Sequence, residues 1–241
     1  MDWTLATFLL CAGGVTLGAL LQAATGLGAG LVVVPWLALV SYHLVPGPVI
    51  MASLVLSTLM TVRGRRQIDY RGMPLLLAGL VTGSALAIAL LVRLPFDRLG
   101  VVFGALVLVA VGLSLRAPEI RPNRAGLFGI GTLSGAMGTA AGVGAPVLAL
   151  LYQHRSGPEL RATLALLYLV SSLMMLALLH FAGRFGLAEI VSGFYLVPGF
   201  ILGYLLSPRL AGLIDRGYAR PAVLVLATVS ALVLIGRGLA A

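Results

Sequence analysis

The sequence predicts an all-α integral membrane protein made of two inverted repeats, each a broken or re-entrant helical hairpin followed by three transmembrane helices. Sixty per cent of the 241 residues are hydrophobic and 10% are charged, whereas about a quarter of a typical soluble domain is charged. A glycine-rich segment also occurs twice, once in each half of the chain, 1–120 and 121–241. We therefore expect about eight hydrophobic segments in one integrated transmembrane domain.

The first apolar run, Thr4 to Tyr42, is too long to be one membrane helix. It has 39 residues without a charge, whereas a spanning helix needs about 20. Gly26, Gly28 and Gly30 stand at alternate positions in its middle, and each glycine costs a helix about 1 kcal/mol relative to alanine. We therefore predict that the helix breaks between Gly26 and Gly30.

A second copy of this break follows 116 residues later, in the segment Ala140 to Pro146. It contains Gly142 and Gly144 and lies within the second long apolar run, Ala125 to Tyr152. That run is too short for two full spans of about 20 residues each. It is therefore expected to form a re-entrant pair that enters and leaves on one side of the membrane.

The other apolar runs predict six plain spans, three in each half. They should be helical because a helix satisfies its own backbone in lipid, and because barrel strands would alternate apolar and polar residues. The predicted spans are 49–62, 74–92, 99–115, 162–182, 188–206 and 221–235. Polar connections separate them, and the longest is expected at about Ser207 to Arg220.

The distribution of arginine indicates the topology, since cytoplasmic loops are enriched in basic residues. All 16 basic residues are arginines. If each broken run enters and leaves on the same side, the loops 63–71, 116–124, 153–161 and 207–220 share one face and carry twelve of the sixteen. If the second run crosses once, the split is nine to seven. The same-side arrangement leaves three crossings per half, so the two halves insert in opposite directions, as in many secondary transporters.

The two breaks are predicted to form an anion-binding site at the centre of the protein. Each break places a helix N-terminus inside the protein, where free N–H groups and the positive end of the helix dipole attract anions. Serines and a tyrosine on neighbouring spans are expected to line the same cavity. The predicted substrate-binding residues are Gln22, Thr25, Gly26, Gly28, Gly30, Ser53, Ser57, Ser134, Thr139, Gly142, Gly144, Tyr168 and Ser171.

Glycines and serines of this kind also have purely structural interpretations. Small residues at a spacing of four let membrane helices pack closely, which is the expected role of Gly14-x-x-x-Gly18, Gly79-x-x-x-Gly83 and Gly199-x-x-x-Gly203. Serines within a span can bond back to the preceding turn. The repetition and central position of the two breaks favour a binding site over packing alone.

Composition argues against several other functions. The arginines are spread over short loops instead of one surface interleaved with aromatic residues, so nucleic-acid binding is not expected. Cys11 is the only cysteine and there are three histidines, so we expect no metal site and no cofactor. No charged residue lies mid-span, so a buried proton relay is not predicted. Gly131 to Gly135 lacks the Gly-x-Ser-x-Gly spacing of an intramembrane serine protease.

The chain resembles the TauE/SafE family of membrane proteins, which are often labelled sulfite exporters. The resemblance covers nearly the whole chain. It rests on Thr25 to Gly30 with Pro35 downstream, on Ser134 to Gly144, and on the basic loop that ends Ile68-Asp69-Tyr70-Arg71. It implies a multi-pass protein of the bacterial inner membrane that transports small sulfur-containing anions such as sulfite, sulfoacetate or other organosulfonates.

The leading hypothesis is therefore a secondary transporter, specifically an exporter, that moves such anions by alternating access and is not an enzyme. Its expected partners are the small anionic substrate and membrane lipids. The sequence does not fix the oligomeric state, and a homodimer is one arrangement that it allows. An anion channel on the same scaffold is the alternative, with an intramembrane enzyme as a more distant one.

Overall fold

The computed structural model describes residues 4–26, 29–91, 93, 99–116, 123–141, 144–152 and 155–214, with 225, 228–229, 231–233 and 235–236. The described residues form helices and short turns. The α-helices are α1 Leu5–Thr25, α2 Gly30–Val40, α3 Gly47–Gly64, α4 Met73–Leu91, α5 Leu99–Arg116, α6 Arg124–Ala141, α7 Ala145–Tyr152, α8 Gly157–Phe181 and α9 Leu187–Ile214. Five of them, α1, α3, α4, α8 and α9, are long and apolar enough to cross a membrane. The predicted span 221–235 lies mostly outside the described residues.

Both long apolar runs break where the glycines predict. In the first run α1 ends at Thr25, and Gly26 caps it in the left-handed region with φ +79°. The Gly26 N–H donates to the carbonyl of Gln22 at 2.7 Å, and α2 then begins at Gly30. In the second run α6 ends at Ala141 and α7 begins at Ala145.

After the first break the chain turns back, so that α2 runs along α1. The indole Nε1–H of Trp36 donates to the carbonyl of Leu10 at 2.9 Å. A side chain at Gly14 would overlap the Trp36 ring, and one at Gly18 would overlap Val33. Gly14 and Gly18 thus allow close helix packing, which confirms their predicted structural role.

The second broken run reverses in the same way. The hydroxyl of Ser134 in α6 donates to the carbonyl of Gly144 at 2.8 Å. Farther along α7, Leu148 and Tyr152 pack in a buried cluster that also contacts Ile130 and Leu127 of α6. The chain therefore leaves α6 at the break and returns alongside it.

The first helix of each half packs against a helix of the other half: α1 packs along α9, and α6 packs along α4. On α4 and α9 the contact is made by glycines whose Cα lies against a carbonyl of the partner helix. These contacts are Gly79 with Phe128, Gly83 with Thr132, Gly199 with Ala12 and Gly203 with Thr16. The contacted carbonyls in the two halves are 116 positions apart, the same shift that relates the two breaks. The predicted packing role of both glycine pairs is confirmed.

The basic loops gather at one end of the bundle, which we call the basic end. Arg155 forms an ion pair with Asp69 at 3.1 Å, between Nη2 and Oδ2. The backbone N–H of Asp69 also donates to the hydroxyl of Thr163 at 2.9 Å. A side chain at Gly72 would touch Leu127 near the start of α6. Within the described residues, the loops 63–71 and 153–161 and the start of α6 therefore lie at the same end of the bundle, and their common side of the membrane stays a prediction.

Two helix boundaries differ from the sequence prediction. The expected polar connection from Ser207 is helical as far as Ile214. Pro208 has no N–H, so it cannot donate to the carbonyl of Tyr204 four residues earlier. The hydroxyl of Ser207 donates to that carbonyl instead, at 2.8 Å. Helix α8 likewise begins before residue 162, because the hydroxyl of Ser156 accepts the N–H of Glu159 and caps its first turn.

Candidate functional site

A cavity lies inside the bundle where α2 and α7 begin, and we call it the central cavity. Its volume is about 80 Å³. A single water molecule needs roughly 10–15 Å³ of such space, so the cavity has room for several waters or one small ion. Its wall contains the polar residues Gln22, Ser53, Ser57, Ser134, Tyr168, Ser171 and Ser172, the glycines Gly30, Gly138 and Gly144, and apolar residues of α2, α3, α7, α8 and α9.

Eight of the thirteen predicted binding residues line this cavity. They are Gln22, Gly30, Ser53 and Ser57 from the first half, and Ser134, Gly144, Tyr168 and Ser171 from the second. The fold thus brings together residues that are far apart in the chain. Their role in binding substrate stays a prediction.

Two predicted residues at the first break lie beside the cavity instead of in its wall. The hydroxyl of Thr25 donates back to the carbonyl of Leu21 at 2.7 Å, which is the structural alternative considered for such residues. The carbonyl oxygen of Gly26 accepts a hydrogen bond from the hydroxyl of Tyr168 at 3.0 Å. Gly26 therefore shapes the boundary of the cavity through its backbone.

The three remaining predicted residues come from both breaks. Thr139 is fully buried, is not part of the cavity wall, and its hydroxyl has no hydrogen-bond partner among the described residues. Gly28 of the first break and Gly142 of the second lie outside the described residues.

Gln22 holds the start of α2 in place. Its side chain is buried, with 4% of its surface exposed, and its Oε1 accepts a hydrogen bond from the N–H of Ala29. This satisfies one of the N–H groups that a helix leaves without an intrahelical partner at its start. The amide of Gln22 therefore serves as a helix cap across the break as well as forming part of the cavity wall.

Ser134 has the corresponding place at the second break, but its side chain donates a hydrogen bond where that of Gln22 accepts one. Its hydroxyl proton is engaged by the carbonyl of Gly144, so it is not the free donor that the sequence suggested. A Cβ on Gly144 would collide with the Ser134 backbone carbonyl. The two backbones therefore touch at this point, and α7 can begin beside the cavity only because residue 144 has no side chain.

The serines of α3 and α8 divide into two classes. Ser53 donates to the carbonyl of Ile50 at 2.8 Å, and Ser171 donates to the carbonyl of Tyr168 at 3.2 Å. These are back-bonds to the preceding turn, as the structural interpretation predicts. Ser57 differs, because it is 1% exposed, lines the cavity, and has no hydrogen-bond partner among the described residues. A buried hydroxyl without a partner costs roughly 1–3 kcal/mol, which a bound polar ligand would offset.

The central cavity contains helix dipoles instead of formal charges. Among its described wall residues none is Asp, Glu, Arg or His. Gly30, the first residue of α2, and Gly144, which immediately precedes α7, both line it, and each helix N-terminus carries roughly half a positive elementary charge. This arrangement favours a small anion.

Sequence reasoning missed the apolar part of the wall and Gly138. Val33, Met175 and Phe200 lie in the wall, but nothing distinguishes them in a sequence that is apolar along every helix. Gly138 carried a usable signal, because it is one turn before the second break. Ser172, which the sequence places beside Ser171 as a possible lining residue, does lie in the wall.

A second cavity opens at the basic end of the bundle, and we call it the vestibule. Its volume is about 350 Å³. Residues of α1, α3, α8 and α9 and of the turn after α3 line it: Ala23, Ala24, Met60, Arg63, Gly64, Gln67, Pro158, Arg161, Ala162, Tyr204, Ser207 and Pro208. Ser207 and Pro208 thus share a wall with the 63–67 region, which adds a fourth predicted loop to the basic end.

Comparison with known proteins yields one family. The sequence profile of the family described as Sulfite exporter TauE/SafE matches residues 10–234. Neither the curated proteins nor the solved structures contain a match to the chain.

Proposed function

Because the chain belongs to the TauE/SafE sulfite exporter family, we propose that it exports small sulfur-containing anions of the sulfite and organosulfonate class by alternating access. The proposed location is the bacterial inner membrane, which the protein crosses several times. The central cavity supports this proposal. It combines two helix N-termini, an unpartnered buried hydroxyl and the absence of formal charge from the described part of its wall.

The chemistry of the cavity fits a small oxyanion better than a cation or an apolar ligand. Backbone N–H groups and hydroxyls donate to the oxygen atoms of a sulfonate or of bisulfite. A cation would face the positive ends of both helix dipoles. The apolar side chains of the same wall, such as Val33 and Ile50, suit the short carbon chain of an organosulfonate.

The movement that alternating access requires would come from two inverted repeats. Helix α1 ends near the basic end, where Arg161 bonds to Ala24, whereas α6 begins at that end, near Gly72. The first helices of the two halves thus run in opposite directions, and their contacts with α9 and α4 are equivalent. These features support two inverted repeats that rock about a fixed central site.

Anion binding to the purified protein tests the proposal. We would measure the affinity for sulfite, thiosulfate, methanesulfonate and acetate by calorimetry, in the wild type and in Ser57→Ala. Removing a hydrogen bond to a charged ligand costs roughly 1.5–3 kcal/mol, so Ser57→Ala should bind methanesulfonate at least about tenfold more weakly. Thr58→Ala is the matched control, because Thr58 is the exposed next residue of α3.

Two outcomes would count against the proposal. One is an absence of binding of any sulfur anion by the wild type, and the other is an equal loss in Ser57→Ala and Thr58→Ala. Flux in vesicles then separates a transporter from a channel on the same scaffold. A transporter saturates with substrate and shows counterflow driven by unlabelled anion on the opposite side, whereas a channel shows neither.

A further inference from the structure

The vestibule wall carries formal positive charges, which the described wall of the central cavity lacks. Arg63 and Arg161 both line it, and none of its described wall residues is acidic. Within the part of the chain that the structure describes, neither guanidinium has a carboxylate within 4 Å. The nearby Asp69 and Glu159 instead pair with Arg155. Two positive charges therefore face the vestibule without local compensation.

Two hydrogen bonds reach the end of α1 from residues that line the two cavities. Nη1 of Arg161 donates to the carbonyl of Ala24 at 3.2 Å. The hydroxyl of Tyr168 donates to the carbonyl of Gly26 at 3.0 Å. Arg161 and Ala24 belong to the vestibule wall, whereas Tyr168 belongs to the wall of the central cavity. These two bonds thus lie between the two cavities, and we call them the floor.

One face of α3 extends from the central cavity to the vestibule. It carries two hydroxyls that have no hydrogen-bond partner among the described residues. Ser57 is in the central cavity, and Met60 and Arg63 are in the vestibule. Thr61 is one helical turn from Ser57 on the same face. The hydroxyls of Ser57 and Thr61 are both buried and have no hydrogen-bond partner among the described residues. Polar groups left unsatisfied in this position are suited to the path of a polar ligand.

We infer that the vestibule is a separate oxyanion-binding site, built on Arg63 and Arg161, and that the floor is a gate between it and the central cavity. The link to transport rests on the proposed function, whereas the site and the gate do not. A guanidinium binds the paired oxygens of a sulfonate, sulfite or phosphate group in a forked geometry.

Arg161 belongs both to the proposed oxyanion site and to the proposed gate. A charged oxyanion is a stronger acceptor for a guanidinium than the neutral carbonyl of Ala24 is. An anion in the vestibule would therefore draw Arg161 away from Ala24 and weaken the floor at the end of α1. The remaining floor contact is then the hydrogen bond from Tyr168 to Gly26.

Thiol labelling tests the vestibule without requiring transport. In a Cys11→Ala background, Gln67→Cys places a reporter in the vestibule wall. The protein is reconstituted in phosphatidylcholine vesicles and labelled with anionic sulfonatoethyl or cationic trimethylammonioethyl methanethiosulfonate. The anionic reagent should react faster, and Arg63→Ala should lower the anion-to-cation rate ratio by roughly tenfold at low salt. Arg66→Ala removes an exposed charge of the same turn and should leave the ratio nearly unchanged.

Competition identifies the occupant of the vestibule. Methanesulfonate should slow the anionic reagent at Gln67→Cys in phosphatidylcholine vesicles, and Arg161→Ala should abolish this protection. If a lipid headgroup is the occupant instead, added anionic phospholipid protects and methanesulfonate does not. The site for free anions is refuted by that result, or by equal rate ratios in Arg63→Ala and Arg66→Ala.

A reporter behind the floor tests the gate. Ser57→Cys should react slowly, and Tyr168→Phe should raise its rate at least about tenfold, since one of the two floor bonds is lost. The rate at Gln67→Cys should stay unchanged in Tyr168→Phe. Arg161→Lys, which keeps the charge and loses the fork, gives a second test if Tyr168→Phe proves unstable. Equal labelling of Ser57→Cys with and without both floor bonds would refute the gate, and the labelling result holds whether or not sulfur anions are transported.

Discussion

Tyr168 donates a hydrogen bond through its hydroxyl to the backbone carbonyl of Gly26, over 3.0 Å. The two residues belong to different halves of the chain, and the bond joins the middle of α8 to the break that ends α1. It fixes the only described residue between α1 and α2 that has a left-handed backbone. The conformation of Gly26 is therefore linked to a residue in the wall of the central cavity.

Gly26→Ala should destabilise the protein and impair anion transport. An L-residue in the left-handed region costs roughly 1–2 kcal/mol, and a Cβ at this position would lie 3.2 Å from Cγ of Arg161. Thermal unfolding of the purified protein measures the loss. Gly13→Ala is the control, because among the described residues no atom beyond its own stretch of helix lies within 4 Å of its Cβ position, and alanine is favoured within a helix by about 0.5–1 kcal/mol. A melting temperature that falls equally in both variants would contradict this account.

Gly144→Ala should abolish binding of sulfur anions while the protein keeps its helical content. The added methyl group would collide with the carbonyl of Ser134 and would move the start of α7 away from the central cavity. Calorimetry with methanesulfonate measures binding, and circular dichroism measures the helix content. Gly129→Ala is the control in the same hairpin and should bind normally. Within the described part of the chain, no atom beyond the surrounding stretch of helix lies within 4 Å of the Cβ position of residue 129. Wild-type affinity in Gly144→Ala would show that close approach of the backbones is not needed.

The loops 63–71 and 153–161 should be accessible from the same side of the membrane. In a Cys11→Ala background, Tyr70→Cys and Ser156→Cys should react with an impermeant thiol reagent on one face, because Asp69 and Arg155 form an ion pair between these loops. His43→Cys should react from the other face, since it precedes α3 at the opposite end of the bundle. Labelling of Tyr70→Cys and Ser156→Cys from different faces would refute the hairpin formed by α6 and α7.

Monoanions should bind the central cavity more tightly than dianions. The N-termini of α2 and α7 together offset about one negative charge, and none of the described wall residues adds a formal charge. A dianion leaves about one charge uncompensated, at a cost of several kcal/mol, so sulfate should bind at least about tenfold more weakly than methanesulfonate. For the same reason, lowering the pH through the titration of sulfite to bisulfite should strengthen its binding. Equal affinities for sulfate and methanesulfonate would rule out this charge balance.

The local features of this protein follow from its sequence. The break at Gly26 could be predicted because 39 apolar residues are too many for one helix across about 30 Å of hydrocarbon, and because glycine weakens a helix. The break at Gly144 could be predicted because the same glycine pattern recurs 116 residues later. The close packing at Gly79 and Gly203 could be predicted because a residue without a side chain lets two backbones touch. The count of arginines predicted a shared face for the basic loops, and the described parts of these loops lie at one end of the bundle.

Which polar groups form hydrogen bonds depends on how the helices pack. Ser53 and Ser57 have the same side chain on the same face of α3, yet Ser53 bonds to its own helix whereas Ser57 has no partner among the described residues. The vestibule was likewise not predictable, because Arg63 and Arg161 are 98 positions apart and become neighbours only when α3 packs against α8. Breaks and helices depend on neighbours along the chain, so they can be predicted without the fold. The cavities depend on side chains from distant helices, and their partners exist only after those helices pack together.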